Sequence, residues 1–456
     1  MAICRNISIL CLGVLCKLSV ACGPVDEDRR QKPEIFDRPE FTLLGPADYY
    51  FLADEECQQQ EEPRKTAIEE ITVYKATAEG SEAEVINPIG FTSQKSLKTP
   101  AVKETFYGGV YEADCREKNI ENCQNAYLNV RTWNIIKKRK PLRVCQPKSN
   151  FKRFSFESMA LTASQNINRA AQAAMQYADM KLPPVILEVI PNFRVRKEQT
   201  DAEGVVKDAL LYATRQMSYF AGSGSIAVYP ERPESSQEKP QFWESEFVAS
   251  HEFGHHIEAQ IRKASRGAEV QKMVGGGSRL VEKAVSEAFA DLMAFYTLDQ
   301  NPNALEEFPD AYLDRNPAQP IFSDSQTVKV LSQKIMKRFI AQKNDGNKEM
   351  VNLTRLHLIG AIVSHSLHKI FTQISAAKSG DINSIEVPRS KEKYGLTIRW
   401  FKLYSAELSK KKNADDKSPY SALARSIRKI ISDVDRDDRV KVNRTFSTNL
   451  PGLYEI

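Results

Sequence analysis

The segment FVASHEFGHH, residues 247–256, has two histidines four residues apart and a glutamate directly after the first. In a helix, residues i and i+4 project from the same face, so His251 and His255 can contact one metal ion. Zn²⁺ takes ligands at about 2.0–2.1 Å in a roughly tetrahedral array, and two such histidines can supply adjacent corners. Glu252 can accept a proton from an attacking water. The pattern therefore predicts a hydrolytic zinc site with one metal ion.

The sequence directly after His255 does not supply a third histidine ligand. The chain has six histidines, which fall into two clusters. Those outside the motif are His256, His357, His365 and His368. A metzincin would have a glycine three residues and a third histidine six residues after His255, but these positions hold Glu258 and Ile261. The third ligand must therefore come from another element.

A strongly apolar helical segment, KAVSEAFADLMAFY at 283–296, contains Glu287 and Asp291 one helical turn apart. Carboxylates in so apolar a helix are costly unless they are paired or bound to a metal. Glu287 as the third ligand, with Asp291 orienting a ligand histidine, satisfies both carboxylates. The alternative is a solvent-facing acidic pair, and Glu282 and Glu258 are weaker ligand candidates.

These two motifs together resemble the gluzincin metallopeptidases, and more narrowly their thermolysin-like branch. His251-Glu252-x-x-His255 matches the zinc motif, and residues 286–291, SEAFAD, are similar to the branch's N-E-x-x-S-D. The resemblance covers roughly residues 156–435 and implies an α+β fold with two lobes, of which the first contains strands and the second is mainly helical. It also implies a zinc-dependent endopeptidase with a peptide or protein substrate.

Two further segments extend the resemblance. The residues before Gln216-Met217-Ser218-Tyr219 resemble the family's substrate-binding edge strand. These residues are Ala209, Leu210, Leu211 and Tyr212. Residues 355–370, RLHLIGAIVSHSLHKI, resemble the segment whose histidine stabilises the oxyanion, and His357 is the matching residue. The implied catalytic residues are therefore Glu252 and His357.

Other functions remain open on sequence grounds. The chain could be a surface lipoprotein that binds zinc with weak or no catalysis, or a zinc hydrolase that acts on a non-protein amide such as cell-wall peptide. Glu252 favours catalysis, because a purely structural zinc site is expected to use a fourth protein ligand and needs no base. Pocket shape decides between the substrates.

Hydrophobic spacing predicts the elements that carry these residues. Residues 158–180 have a helical period, residues 183–193 and 208–230 contain strand-like runs, and the spacing after about residue 280 is mostly helical. Short β-like runs also occur at residues 71–79 and 104–113. We predict a small β-rich unit at 51–150, a zinc-binding lobe at 151–300 and a mainly helical lobe at 301–456.

The N-terminus resembles a bacterial lipoprotein signal. Residues 1–21 combine Arg5, a short apolar core and a small-residue cleavage site, and Cys22 follows directly. We expect an exported protein, either an outer-membrane lipoprotein attached by lipid at Cys22 or a secreted protein. Residues 22–50 are polar and contain prolines, which predicts a flexible tether.

Four cysteines follow the tether: Cys57, Cys115, Cys123 and Cys145. An even number in an exported protein predicts two disulfides, with three pairings open, and free buried thiols are the alternative. A basic run, Lys137-Lys138-Arg139-Lys140, closes this region. It is either a solvated face or a site where processing releases the N-terminal unit as a pro-segment.

Composition excludes some classes of function. The net charge is +5 over 456 residues, and no nucleic-acid motif occurs, so no nucleic-acid partner is expected. The apolar core of the signal is too short to span a bilayer, and no later apolar run reaches membrane-spanning length. The aspartates of residues 433–438, DVDRDD, are interrupted by arginine and lack the glycine of a calcium loop, so calcium is possible but unsupported. No sequence pattern indicates the oligomeric state.

Overall fold

The computed structural model describes parts of the chain between residues 70 and 453. The described residues are 70–77, 80–86, 101–107, 110–114, 133–137, 140–141, 148–149, 151–189, 192–200, 206–213, 216–229, 240–266, 277–299, 317–318, 353–379, 389–409, 419–450 and 453. The predicted signal, the tether with Cys22, and the disulfide candidates Cys57, Cys115, Cys123 and Cys145 lie outside them.

Three sheets are formed by the strands of the described residues. The strands are β1 (Glu70–Thr77), β2 (Gly80–Ile86), β3 (Val102–Tyr107), β4 (Val110–Asp114), β5 (Trp133–Lys137), β6 (Lys140–Pro141), β7 (Lys148–Ser149), β8 (Val185–Val189), β9 (Asn192–Thr200), β10 (Val206–Ala213), β11 (Gln216–Phe220) and β12 (Ser225–Tyr229). The sheet orders are β2-β1-β7, β10-β9-β4-β5 and β11-β12-β8-β3-β6. The β-like runs predicted near residues 71 and 104 are confirmed as β1, β3 and β4.

The five-stranded sheet supports the candidate site. β3, β8 and β12 run parallel, whereas β11 and β6 run antiparallel at the two edges of the described sheet. Val185, Leu187 and Val189 alternate along β8 and are fully buried, so the face of the strand that they share is covered. β11 is the edge strand that lies beside the helix carrying the zinc motif.

Strands from both sides of residue 150 share two of these three sheets. β3 lies between β8 and β6, and β4 pairs in parallel with β9. Side chains of the first long helix also accept hydrogen bonds from the earlier segment: Thr162 Oγ1 from the Tyr74 amide and Asn168 Oδ1 from the Ala101 amide, both over 3.1 Å. The boundary predicted at residue 150 therefore does not separate two sheets.

Seven helices occur in the described residues. They are α1 (Phe156–Ala178), α2 (Glu246–Arg266), α3 (Gly277–Thr297), α4 (Leu353–Ser379), α5 (Arg389–Ser409), α6 (Pro419–Ser432) and α7 (Arg436–Asn449). α1 begins after Ser155, whose Oγ accepts a hydrogen bond from the Ser158 amide over 3.1 Å. It ends at Asp179, which has a left-handed backbone conformation with φ 51°.

A helical core forms around α2 and α3. α2 packs against α1, α3, α5 and β11, and α3 packs against α4 and α5. The largest fully buried side chains belong mostly to these helices and include Trp400, Tyr296 and Phe289. The described part is a mixed structure of helices and sheets, compatible with the α+β class predicted from the sequence. Among the described residues, none of the helices combines the length and apolar character needed to cross a membrane.

A buried carboxylate, Glu244, joins three segments just before α2. Arg153 donates hydrogen bonds of 2.5 Å and 2.7 Å to its two carboxylate oxygens, and the Ser81 hydroxyl of β2 donates one of 2.9 Å. The Gln241 amide donates to Glu244 Oε2 over 2.7 Å. Because the Glu244 side chain is fully buried, removing these donors would leave an uncompensated charge. The start of α2 is thereby attached to the β-rich segment.

Candidate metal centre

The two helices that carry the sequence motifs approach each other closely. Gly254 of α2 faces Ala290 of α3, and a Cβ atom at position 254 would lie only 3.0 Å from the Ala290 Cα. Glycine allows this approach because it has no side chain to separate the helix backbones. The contact is one helical turn or less from His251 and His255 on α2 and from Glu287 on α3. The helix packing therefore brings the predicted ligands together.

His251, His255 and Glu287 form a cluster, called here the His–His–Glu cluster, whose ligand atoms lie within 4.8 Å of one another. The two Nε2 atoms are 3.1 Å apart, His251 Nε2 is 3.4 Å from Glu287 Oε2, and His255 Nε2 is 3.7 Å from Glu287 Oε1. Ligands of a tetrahedral zinc ion are separated by about 3.3 Å, given bond lengths near 2.0–2.1 Å. The cluster has the donor types and spacing to hold a metal ion.

Asp291 lies behind His251, on the side opposite the His–His–Glu cluster. Its Oδ1 atom is 2.9 Å from His251 Nδ1, and its side chain is fully buried. A carboxylate at Nδ1 keeps Nε2 free of a proton and fixes the orientation of the ring. The structure thus brings Asp291 to the position predicted for a residue that orients a ligand.

Negative charge is concentrated around the His–His–Glu cluster. Glu252, Glu287 and Asp291 are each less than a tenth exposed. Burial alone would lower the pKa of His255, but the hydrogen bond to Glu258 and the charges of Glu287 and Glu252 outweigh it and raise that pKa to about 9. The surroundings therefore favour a positive charge at the ligand rings, which a divalent cation would supply.

Glu252 is fixed by the edge strand β11. The Tyr219 amide donates a hydrogen bond to Glu252 Oε2 over 2.6 Å. Burial raises the pKa of Glu252, although the neighbouring His251 and His255 rings and the Tyr219 amide oppose that rise. A buried carboxylate with a raised pKa, one residue from a metal ligand, is suited to accepting and returning a proton.

His256 anchors the same strand to α2. Its Nε2–H donates to the Pro183 carbonyl over 2.7 Å, so its Nδ1 accepts from the Tyr219 hydroxyl, whose oxygen is 3.1 Å away. Burial lowers the pKa of His256 to about 4, which keeps the ring neutral. Tyr219 therefore contacts α2 through its backbone at Glu252 and through its side chain at His256.

A second carboxylate contacts the other ligand histidine. Glu258 Oε2 is 3.3 Å from His255 Nδ1, and Glu258 Oε1 accepts from Arg262 Nε over 2.6 Å. Ser286 Oγ is 3.2 Å from the same His255 nitrogen and donates to Glu258. Sequence reasoning treated Glu258 only as a weak ligand candidate and missed Arg262 and Ser286. The roles of Glu258 and Arg262 could have been suspected from their spacing, because His255, Glu258 and Arg262 lie at i, i+3 and i+7 on one helix face.

Helix α4 passes directly over the third ligand. A Cβ atom on Gly360 would lie 2.8 Å from the Glu287 Cβ, so this glycine is required by the close approach of α4 to α3. His357 lies on α4, one turn before Gly360. Its side chain is outside the described part of the structure, so its role in stabilising an oxyanion stays a prediction.

The predicted substrate strand lies in another sheet. Ala209, Leu210, Leu211 and Tyr212 belong to β10, which pairs with β9 from Lys197 to Arg194. The strand that contacts α2 is β11, which carries the Gln216-Met217-Ser218-Tyr219 segment. Whether residues 209–212 bind substrate stays a prediction.

The remaining sequence candidates have structural contacts. His365 Nδ1–H donates to the Pro317 carbonyl over 2.8 Å, and His368 Nδ1 is 2.9 Å from the Tyr296 hydroxyl. In the 433–438 run, Asp433 pairs with Arg399 and Asp438 with Lys441. These contacts account for the side chains without a metal.

No family model, no curated protein and no solved structure matches this chain. What the site can do therefore follows from its own atoms. Two imidazole nitrogens and one carboxylate converge, each histidine has a carboxylate at its second nitrogen, and a buried glutamate follows the first ligand. A buried cluster of this composition can bind a metal ion with a base beside it.

Proposed function

We propose that this chain is a zinc-dependent endopeptidase of the gluzincin type, with a thermolysin-like two-lobed fold. The observation that carries the proposal is the convergence of His251, His255 and Glu287, with Glu252 one residue after the first ligand. The Tyr219 amide fixes Glu252 in this arrangement. We further propose that the protein is exported and either attached through lipid at Cys22 or secreted.

Zinc is the metal that suits this donor set. Two imidazoles and one carboxylate are typical of catalytic zinc, which uses three protein ligands and leaves one position open. A structural zinc site is instead closed by four protein ligands, usually with cysteine among them. Calcium and magnesium prefer oxygen ligands throughout, so two histidines argue against them.

The chain's own residues divide the work of peptide hydrolysis. Bound zinc supplies a Lewis acid that polarises the scissile carbonyl and lowers the pKa of water. Glu252 accepts the proton of the attacking water and then delivers it to the leaving amine. The Tyr219 amide holds Glu252 Oε2, which leaves the second carboxylate oxygen for this transfer. His357 is assigned the stabilisation of the developing oxyanion, on the strength of the sequence resemblance.

An extended peptide substrate suits the edge strands of two described sheets, of which β11 contacts α2. A peptide can add to a sheet edge through main-chain hydrogen bonds. β10, with residues 209–212, and β11, beside Glu252, are both edge strands among the described residues. Pairing with either edge would hold the substrate backbone in an extended conformation, which fixes the peptide bond that is to be cleaved.

The test is a cleavage assay with metal quantified in the same sample. The chain from residue 23 onward, purified with its disulfides formed, is incubated with a mixed peptide library, and new termini are read by mass spectrometry. Glu252→Gln and a chelated sample serve as controls. We expect about one zinc per chain and cuts that vanish in both controls. Bound zinc without cuts would contradict the peptidase and favour a zinc-binding protein, and the absence of zinc would contradict the metal centre itself.

A further inference from the structure

A chain of polar contacts leads from His255 away from the His–His–Glu cluster. His255 Nε2 faces His251 and Glu287, whereas its Nδ1 faces Glu258 Oε2 at 3.3 Å and Ser286 Oγ at 3.2 Å. Ser286 donates its hydroxyl proton to Glu258. The oxygen atoms of both residues are therefore directed at the one His255 nitrogen that a metal would not use.

We propose that Glu258 is a positioning residue for His255 and that Arg262 acts on the metal centre through Glu258. The inference rests on the proposed zinc site and concerns how tightly that site holds its metal. A carboxylate that accepts the Nδ1–H bond fixes the tautomer in which Nε2 carries a lone pair, holds the ring plane, and makes Nε2 a stronger donor to the metal.

Glu258 is excluded as a further ligand by the same geometry. Its Oε2 lies on the Nδ1 side of the His255 ring, and the two nitrogens of an imidazole point away from each other. One ion cannot contact His255 Nε2 and Glu258 together in this arrangement. The sequence made Glu258 a weak candidate for a metal ligand. Its position on the Nδ1 side of His255 instead suits it to orient that ring.

Arg262 holds Glu258 in place from the next turn of α2. Its Nε donates to Glu258 Oε1 over 2.6 Å, and its Nη1 lies 3.4 Å from Glu282 Oε2 on α3. Its guanidinium carbon also lies 5.3 Å from the centre of the Phe401 ring on α5. Contacts with three helices leave Arg262 little freedom, so Glu258 is presented to His255 in one orientation.

The two ligand histidines are consequently supported in the same way. Asp291 contacts Nδ1 of His251, and Glu258 contacts Nδ1 of His255. The supports come from different helices, since Asp291 belongs to α3 whereas Glu258 belongs to α2, the helix that carries both histidines. Loss of either support is expected to act on metal binding in the same direction.

The experiment measures zinc affinity in the mature full chain by competition with a chromophoric chelator. The variants are Glu258→Gln and Asp291→Asn, with Glu246→Gln as the matched control. Glu246 lies at the start of the same helix as Glu258 and also pairs with an arginine, Arg169 of α1. We expect zinc affinity to fall about 10- to 100-fold in the first two variants and to stay unchanged in the control. The absorption spectrum of the cobalt-substituted protein should shift in Glu258→Gln, because the ligand field that His255 exerts on the metal changes.

The role of Arg262 is tested by a double-mutant cycle. Arg262→Met should weaken zinc binding in the wild-type background and have little further effect in the Glu258→Gln background. Melting temperatures of the metal-free proteins show whether each variant folds, and Arg262→Lys replaces Arg262→Met if the latter does not. Unchanged zinc affinity and an unchanged cobalt spectrum in Glu258→Gln would overturn the inference while leaving the peptidase standing. A wild-type chain that binds no zinc would overturn both.

Discussion

The backbone amide of Tyr219 donates a hydrogen bond to Glu252 Oε2 over 2.6 Å, so the edge strand β11 fixes the carboxylate beside the His–His–Glu cluster. The hydroxyl of the same tyrosine contacts His256, one residue after the second ligand. Strand β11 and helix α2 are therefore connected at Glu252, within the motif, and again at His256, directly after it. The position of the Glu252 carboxylate depends on a sheet edge as well as on the helix that carries it.

A shorter side chain at position 252 should be unable to contact the Tyr219 amide and the attacking water at the same time. In Glu252→Asp the carboxylate remains, but it is one methylene too short to contact the Tyr219 amide while reaching the attacking water. We expect zinc content to be retained and kcat to fall about 100-fold, as misplacement by about 1 Å can cause. Peptide cleavage rates with metal quantified in parallel check this. Glu246→Asp on the same helix is the control, and near-normal turnover in Glu252→Asp would contradict the assigned role.

Two helical glycines should respond to alanine in opposite ways. Gly360→Ala places a methyl group 2.8 Å from the Glu287 Cβ, whereas a Cβ on Gly395 meets nothing within 4 Å. We expect Gly360→Ala to destabilise the fold by about 1–3 kcal/mol and to weaken zinc binding by moving Glu287. Gly395→Ala should stabilise it by about 0.5–1 kcal/mol. Thermal unfolding and zinc titration measure both, and equal shifts in the two variants would contradict the packing of α4 on α3.

His368 should make the fold sensitive to acid. Burial, with Lys393, His365 and Lys369 nearby, lowers its pKa from 6.5 to about 3. Between those values the unfolded chain binds a proton at His368 and the folded chain does not. The free energy of unfolding therefore falls as the pH falls through this interval.

The corresponding measurement is the melting temperature from pH 7 to pH 4. His368→Gln should be less stable at pH 7 but lose less on acidification than the wild type. Tyr296→Phe removes the hydroxyl that contacts His368 Nδ1 without removing the titrating ring, so it should keep the wild-type pH slope. Parallel curves for His368→Gln and the wild type would refute the assignment.

Cleavage in the basic run should not release the preceding segment. β5 ends at Lys137 and β6 begins at Lys140, so the run connects two strands, and β3 lies inside the five-stranded sheet. We expect a chain cut between Lys137 and Lys140 to elute as one species on size exclusion under reducing conditions, and to separate only in denaturant. Separation without denaturant would indicate a detachable pro-segment, and the intact mass of the purified protein shows whether such a cut occurs naturally.

Local patterns were sufficient to find the three residues of the His–His–Glu cluster. The i, i+4 spacing of His251 and His255 depends only on helix geometry, and Glu287 was identified by the cost of a carboxylate in an apolar helix. Glu258 and Arg262 follow the same helical spacing, but a glutamate and an arginine on a helix are usually an exposed pair. Their importance depends on α3 and α5 covering them, which no local pattern encodes.

Pairing between distant strands could not be predicted in this way. The apolar run at 71–79 and the run at 104–113 were recognisable as strands, yet nothing within them indicates that β3 pairs with β8 across about eighty residues of chain. A domain boundary placed at a change in composition misses such pairing. The contact of Tyr219 with Glu252 could not be predicted either, because a backbone amide makes it and any residue type except proline could supply that donor.

The contact between Gly254 and Ala290 has a consequence for the choice of metal ion. Because a Cβ atom at position 254 would lie 3.0 Å from the Ala290 Cα, the absence of that atom lets α3 bring Glu287 close to the two histidines of α2. The ligand atoms of the His–His–Glu cluster are 3.1–3.7 Å apart, which suits bonds of about 2.0–2.1 Å better than the calcium distances of about 2.3–2.6 Å. A larger residue at position 254 is therefore expected to change the spacing of the candidate ligands through the helix backbones, although position 254 itself supplies no ligand.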